Sequence, residues 1–293
     1  VARIVRVHAG GDNVGESALW CDRTGRILWV DIVGRKIHAF TPASASLESW
    51  GTPDLVTSLG LRADGGLVMG LRREVVLWDW DDRFRPLAVP EPDLPGNRLN
   101  EGKVGPDGAF WVGTMQNNIG ADGAPVDMTE ASGAIYRIWP DARVEPLTPR
   151  TFGICNTMAW GKDGRFHCAD TLADELYLYD HDAAGLRDRR LLMAGGAPGL
   201  PDGSALDREG GLWNCRVGGG CVVRIAPDGK VDRVIELPCS QPTSCAFGGP
   251  DLGTLYITSA RFGLPAEKRA GADEGALYAL DVGISGTPEF LFG

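Results

Sequence analysis

Six times along this chain a glycine-bearing turn is followed by a short apolar-aromatic strand, and each time a second strand comes after it. The first phrase is clearest in Gly25-Arg26-Ile27-Leu28-Trp29-Val30 and in Gly108-Ala109-Phe110-Trp111-Val112. It recurs at 66–69, 164–168, 211–215 and 253–257. The second phrase occupies 36–40, 75–79, 134–138, 175–179, 221–225 and 276–280. The period is roughly 40 to 45 residues with one longer step of roughly 55, which is the spacing of propeller blades. A blade is a four-stranded antiparallel sheet. The expected fold is therefore all-β, a single six-bladed β-propeller domain over residues 1–293.

The second phrase alternates apolar and polar residues and reads as an outer, half-exposed strand. The longer step holds residues 116–132, rich in Gly, Asp, Asn and Ala, expected as a lid loop over one face. Residues 2–7 alternate cleanly and should complete a blade begun by 258–292, closing the ring. Residues 267–274 are too polar and glycine-bearing for more than a turn.

Net charge is −10 with no basic block, which argues against nucleic acid or an anionic membrane as partner and for a site that attracts a cation. Seven cysteines without a CxxC pair read as reduced thiols, hence a cytoplasmic protein. No leader pattern opens the chain, and no run reaches the roughly 18 apolar residues that span a bilayer. The sequence holds no G-x-S-x-G elbow and no HExxH, and His8, His38, His167 and His181 show no metal spacing. Gly218-Gly219-Gly220 reads as a tight connection between strands.

Counting back about eight residues from each turn glycine brings out a second pattern. Gly108 leads to Asn100, Gly164 to Asn156 and Gly210 to Asp202. Gly65 leads to Thr57, Gly25 to Glu16 with one extra residue, and Gly253 to Ser244 or Cys245. Equivalent places in a propeller point at one axis, so two carboxylates and two carboxamides should converge there. Such hard oxygen donors suit Ca²⁺, Mg²⁺ or Mn²⁺. Taken singly, Glu16 also reads as a surface acid, Asp202 as part of a Pro-Asp-Gly turn, and Asn100 and Asn156 as loop caps.

At these positions the chain resembles the SMP-30/gluconolactonase/luciferin-regenerating-enzyme family. The resemblance runs through Gly15-Glu16-Ser17-Ala18-Leu19-Trp20, Arg98-Leu99-Asn100-Glu101-Gly102-Lys103-Val104 and Gly113-Thr114-Met115. It continues in Ile154-Cys155-Asn156, Ala169-Asp170-Thr171, Pro201-Asp202-Gly203 and Thr243-Ser244-Cys245-Ala246-Phe247. It implies a six-bladed propeller with one divalent metal ion in its channel, Ca²⁺ first and Mg²⁺, Mn²⁺, Zn²⁺ or Fe²⁺ as others. By the same resemblance Glu16, Asn156 and Asp202 are the metal ligands and Asp202 is also the general base. Arg98 and Asn100 match substrate-contacting positions, and Asn118 falls near the place of a family glutamate that contacts sugar hydroxyls. The chain departs from the family pattern at Glu101, where Asp is usual, and at Cys155 and Thr157, where Ser and Gly are common.

The expected activity is ring-opening hydrolysis of a gluconolactone-, galactonolactone-, xylonolactone- or arabinolactone-like substrate to its aldonic acid, with the metal polarising the carbonyl and activating water. The alternatives are a metal-dependent ester or lactone hydrolase with a more apolar substrate, or a non-catalytic metal-stabilised binding propeller. The expected partner is a small-molecule sugar lactone, and the expected state is a monomer or weak homo-oligomer.

Overall fold

A computed structural model describes residues 3–293. Six sheets follow one another along the chain, four of them simple four-strand antiparallel meanders in sequence order and a fifth the same meander with one parallel strand added. The first is built from Gly15–Cys21, Arg26–Asp31, Lys36–Thr41 and Ser46–Gly51. The first strand of each sheet lies innermost: Gly15–Cys21, Val56–Arg62, Asn97–Val104, Cys155–Trp160, Leu200–Leu206 and Pro242–Gly248. Each inner strand packs against the inner strands of both neighbouring blades, and the sixth returns to the first. The architecture is the six-bladed propeller expected from the repeat.

The ring closes between the chain's two ends. Val5–His8 pairs antiparallel with Leu277–Asp281 and supplies the fourth strand of the sixth blade. Ala2 of the expected closing strand lies outside the described residues. The expectation that 258–292 belongs to this blade needs correcting at both ends. The blade begins at Pro242, and the last residues leave it altogether. Gly286 bridges to Asp207 in the fifth blade, and Leu291–Phe292 adds in parallel to Val56–Arg62 in the second. A strap over the far end of the channel results.

The second sequence phrase also proves to be something other than an outer strand. Ile135–Ile138 and Cys221–Ile225 are buried along their whole length. Neighbouring blades cover both faces of these third strands, so their polar residues are buried rather than exposed. The half-exposed strands are the fourth ones, such as Val231–Glu236. Arg224 shows how a buried cation is accommodated. Its Nε donates to Asp207 at 2.7 Å, and Asp207 also accepts the Trp213 indole N–H at 2.9 Å. In the third blade Asp107, Trp111 and Arg137 repeat this arrangement. One helical turn, Ala266–Arg269, overlaps the stretch 267–274, expected to hold no more than a turn. Gly219 approaches the Pro198 carbonyl so closely that a Cβ would sit 2.5 Å from it, which explains the triple-glycine connection.

One irregularity repeats in every blade. All six inner strands slip register against their second strands, at Glu16/Leu19, Val56/Ser58, Leu99/Gly102, Asn156/Ala159, Pro201/Ser204 and Pro242/Cys245. In each, the inner strand uses one residue more than its partner, a β-bulge that re-aims the side chains around it. These bulges sit at one level of the channel. Residues 116–132 extend from the third blade toward this end, where Gly123 faces Val33 of the first blade and Pro125 faces Gly263 of the sixth.

Removing one partner from a buried ion pair leaves an uncompensated charge. Arg224→Ala strands the fully buried Asp207 carboxylate and is therefore expected to lower unfolding free energy by about 3–5 kcal/mol, measured by urea denaturation. A loss under about 1 kcal/mol, the range of an exposed pair, would show that the Trp213 and Gly211 N–H groups suffice for Asp207.

Candidate active site at the channel mouth

The bulges bring the sequence-predicted residues together. Glu16, Arg98, Asn100, Asn118, Asn156 and Asp202 all line one cavity of about 160 Å³ at the mouth of the channel. The sixth blade contributes Thr243 to this cavity, in place of the Ser244 or Cys245 expected from counting. The count fails because Gly253 lies one place beyond the left-handed turn residue, Leu252 at φ = 55°, and the inner strand runs one residue longer between bulge and turn, Cys245–Gly248 against Gly102–Val104. Ser244 instead accepts the Ala18 N–H at 3.2 Å, and Cys245 donates to the Trp213 carbonyl at 3.4 Å. Thr57 turns to the Gly70 carbonyl at 3.3 Å.

The acids of this site sit in an unfavourable field. Asp202 is buried, with Glu16 and Asn156 within hydrogen-bonding reach. Burial, and then the nearby Glu101 carboxylate, push its pKa up to about 8. Burial, Asp202 and Glu101 raise the Glu16 carboxyl well above its ordinary range, against the Ser17 N–H at 2.9 Å and Arg98. Glu101 itself is buried one layer deeper, with Oε1 unpartnered among the described residues, and burial raises it to about 7. Lys103, on the same strand, donates to the Ser204 carbonyl at 3.1 Å and lies 4.0 Å from Glu289 of the strap.

The neutral groups are fixed in orientation. Asn156 Nδ2 donates to Thr171 Oγ1 at 3.0 Å, and Thr171 donates to the Pro201 carbonyl at 2.8 Å. This leaves the Asn156 carboxamide oxygen as the free end. Arg98 is buried and clamped, with Nε and Nη2 on Asn118 Oδ1 at 3.3 and 3.0 Å and Nη1 on Asn100 Oδ1 at 2.7 Å. Burial lowers its pKa to about 10 despite Glu16 and Asp202. Asn100 Nδ2 in turn donates to the Cys155 carbonyl at 2.9 Å.

Thr157 carries a role that the sequence signalled only as a departure. It has φ = 52°, a left-handed conformation uncommon for a β-branched residue. Its hydroxyl donates to the backbone carbonyl of Asp202 and lies 2.9 Å from Ser204 Oγ. The bulge that presents Asn156 is thereby latched to the one that presents Asp202. Ser17, beside Glu16, adopts the same conformation at φ = 53°, and its hydroxyl accepts the Leu59 N–H at 2.8 Å.

The donor set fits a hard divalent cation: two carboxylates in hydrogen-bonding reach, both driven up in pKa chiefly by burial, with an amide oxygen oriented by the hydrogen bond that its own nitrogen donates. Among the described residues no group of three His, Cys, Asp or Glu is placed to hold a metal, so any such ion depends on the amide. A larger cavity, about 240 Å³ between the fourth and fifth blades, lacks this character. Its acids Asp163, Asp207 and Glu209 are paired with Arg165 or Arg224.

The chain is similar to known proteins over most of its length. Residues 14–261 match the SMP-30/Gluconolactonase/LRE-like region. Regucalcin of Xenopus laevis is 32% identical over 287 residues, covering 95% of this chain and 94% of that one. The 6-deoxy-6-sulfogluconolactonase of Pseudomonas putida is 33% identical over 285 residues, with the same coverage of 95% and 94%. The crystal structure of a calcium-binding protein, regucalcin, from Agrobacterium tumefaciens superimposes with a TM-score of 0.90 at 28% identity, covering 100% of this chain and 97% of that one.

Two outcomes are expected from the site alone. Thr157→Val leaves the Asp202 carbonyl with the Asn214 amide alone, at 3.0 Å, and should cost about 0.5–1.5 kcal/mol in urea denaturation, with weaker divalent-cation binding by titration. The second concerns pH. Asp202 holds its proton up to about pH 8 when folded and loses it near the ordinary carboxylate range when unfolded. The folded, metal-free state then binds more protons between those limits, so its melting temperature should fall as pH rises through that window. A saturating divalent cation, measured by calorimetry, should flatten or reverse the trend.

Proposed function

The chain belongs to the SMP-30/gluconolactonase/LRE-like family, and from that premise we propose that it is a divalent-metal-dependent hydrolase that opens a sugar aldonolactone to its aldonic acid. The observation that carries this reading is the convergence of Glu16 and Asp202, uncompensated in charge, with the oriented amide of Asn156 in one cavity. The lactonase named among its relatives supports the substrate class. These three residues are proposed to hold the ion; Ca²⁺ is the first candidate, and Mg²⁺, Mn²⁺, Zn²⁺ or Fe²⁺ suit the same oxygens.

Such an ion, when bound, supplies Lewis acidity to a lactone carbonyl. The chain's own groups do the rest. Asp202 accepts a proton from the water that adds to the carbonyl carbon. The carbon–oxygen bond of the ring then breaks, and the leaving ring oxygen takes a proton to become a hydroxyl. Arg98 presents a fixed positive charge that Asn118 and Asn100 prevent from folding onto the carboxylates. Asn100 and Asn118 turn their remaining amide donors toward substrate oxygens. Residues 116–132 act as the lid that limits access to water. Seven free, buried thiols support placement in a reducing compartment such as the cytoplasm.

Proton release from a panel of five- and six-carbon aldonolactones tests this. Chelated enzyme should be silent, and restored divalent cation should give turnover. Asp202→Ala should lose at least about 10²-fold in kcat. Turnover that survives both chelation and Asp202→Ala would defeat the assignment of this site. Silence of the whole panel, with cation binding intact, would move the protein to the class of binding propellers.

A further inference from the structure

The polar groups of the mouth are unevenly distributed once their hydrogen bonds are counted. Thr243 gives its proton to the Gly15 carbonyl, and Thr171 gives its own to Pro201. Gln241 uses Nε2 on the carbonyls of Phe262 at 3.0 Å and Ala260 at 3.5 Å. Asn156 Nδ2 is held by Thr171 and Asp202. The side-chain donors left for a substrate come from Arg98, Asn100 and Asn118, all three on the third blade or the loop that leaves it.

The rest of the mouth is apolar. Val14, Ile32, Ile119, Ile154, Val217 and Phe262 line the cavity. Backbone pairing fixes this collar: the Ile32 N–H donates to the Val14 carbonyl at 2.9 Å, Val14 bridges Ala260, and Ile154 bridges Met115. Ile32 and Ile119 belong to one buried cluster against which Val14 and Phe262 pack. A hydroxyl directed at this collar leaves water and finds no side-chain donor, whereas a methyl gains apolar contact.

Resting on the lactonase reading, we propose that this site is built for a deoxy aldonolactone. The hydroxylated edge of the sugar faces the third blade, and a terminal methyl sits against Val14, Ile32, Val217 and Phe262, the part of the collar that comes from the other blades. Selectivity for methyl over hydroxymethyl at the end remote from the carbonyl is the consequence. A pocket of this kind discriminates by roughly ten- to a hundredfold.

Three 1,4-lactones of one configuration isolate the effect: L-arabinono-, D-fucono- and D-galactonolactone end in hydrogen, methyl and hydroxymethyl respectively. With divalent cation restored, kcat/KM for the fucono compound should exceed that for the galactono compound by at least about tenfold. Val217→Thr adds a hydroxyl to the collar at little change in volume, Ile32→Thr puts one in place of an ethyl arm, and both should narrow that ratio. Equal or faster hydrolysis of the galactono compound, while any of the three is turned over, overturns the collar's role and leaves the lactonase reading standing. A ratio unchanged in both variants also overturns it. No turnover of any of the three, under every cation, defeats the lactonase reading and the inference with it.

Discussion

The extra residue in each inner strand is the constraint on which the site depends. A regular strand pairs every residue with its neighbour and alternates its side chains strictly between faces. One bulge per blade, at one level, breaks that alternation where the strands come closest to the axis. Backbone re-aimed in this way presents Glu16, Asn100, Asn156 and Asp202 to a shared cavity. The ring must close for those bulges to stay level, and Val5–His8 does this by completing the sixth blade. Hydroxyl latches then tie neighbouring bulges together, Thr157 to Asp202 and Ser17 to Leu59.

That arrangement carries an electrostatic cost. Three acids, Glu16, Asp202 and the deeper Glu101, lie in one region with Arg98 as the nearest opposing charge at the mouth and Lys103 below. All three carboxyls are driven up from their ordinary pKa values, and burial is the largest cause in each. A fold gains no stability from this concentration of acids. Functional sites are where such costs are commonly found, and a divalent cation would relieve it. The surrounding hydrogen bonds favour the same occupant, since Thr171 takes the Asn156 nitrogen and leaves the amide oxygen free to act as a donor atom to a cation.

Much of this was legible in the sequence because propeller repeats are local. Turn glycines and apolar strands recur at a fixed spacing, so counting from Gly108, Gly164 and Gly210 places Asn100, Asn156 and Asp202 in register without knowledge of the fold. The same counting misplaced the sixth blade, where Gly253 is not the left-handed turn residue and the inner strand is one residue longer above its bulge, so that Thr243 holds the place. Burial was harder to read. Polar residues in Ile135–Ile138 and Cys221–Ile225 imitate a solvent face, yet Arg137 and Arg224 are buried against acids from neighbouring turns. The strap at 283–293 offers only two residues of strand, too few for a period, and its partner Val56–Arg62 is more than two hundred residues away. Thr157 was visible only as an unusual residue beside Asn156, because its hydroxyl reaches a carbonyl in a different blade.

The central claim is that Glu16 and Asp202 share one cation, and calorimetric titration of Ca²⁺ or Mn²⁺ into metal-stripped protein near pH 7 tests it most directly. Runs in buffers of different ionisation heat count the protons released. The account predicts one ion per chain, release of protons from the raised carboxyls, and loss of that binding in both Glu16→Gln and Asp202→Asn. Binding that leaves both variants unaffected, or no binding by the wild-type chain, would contradict it.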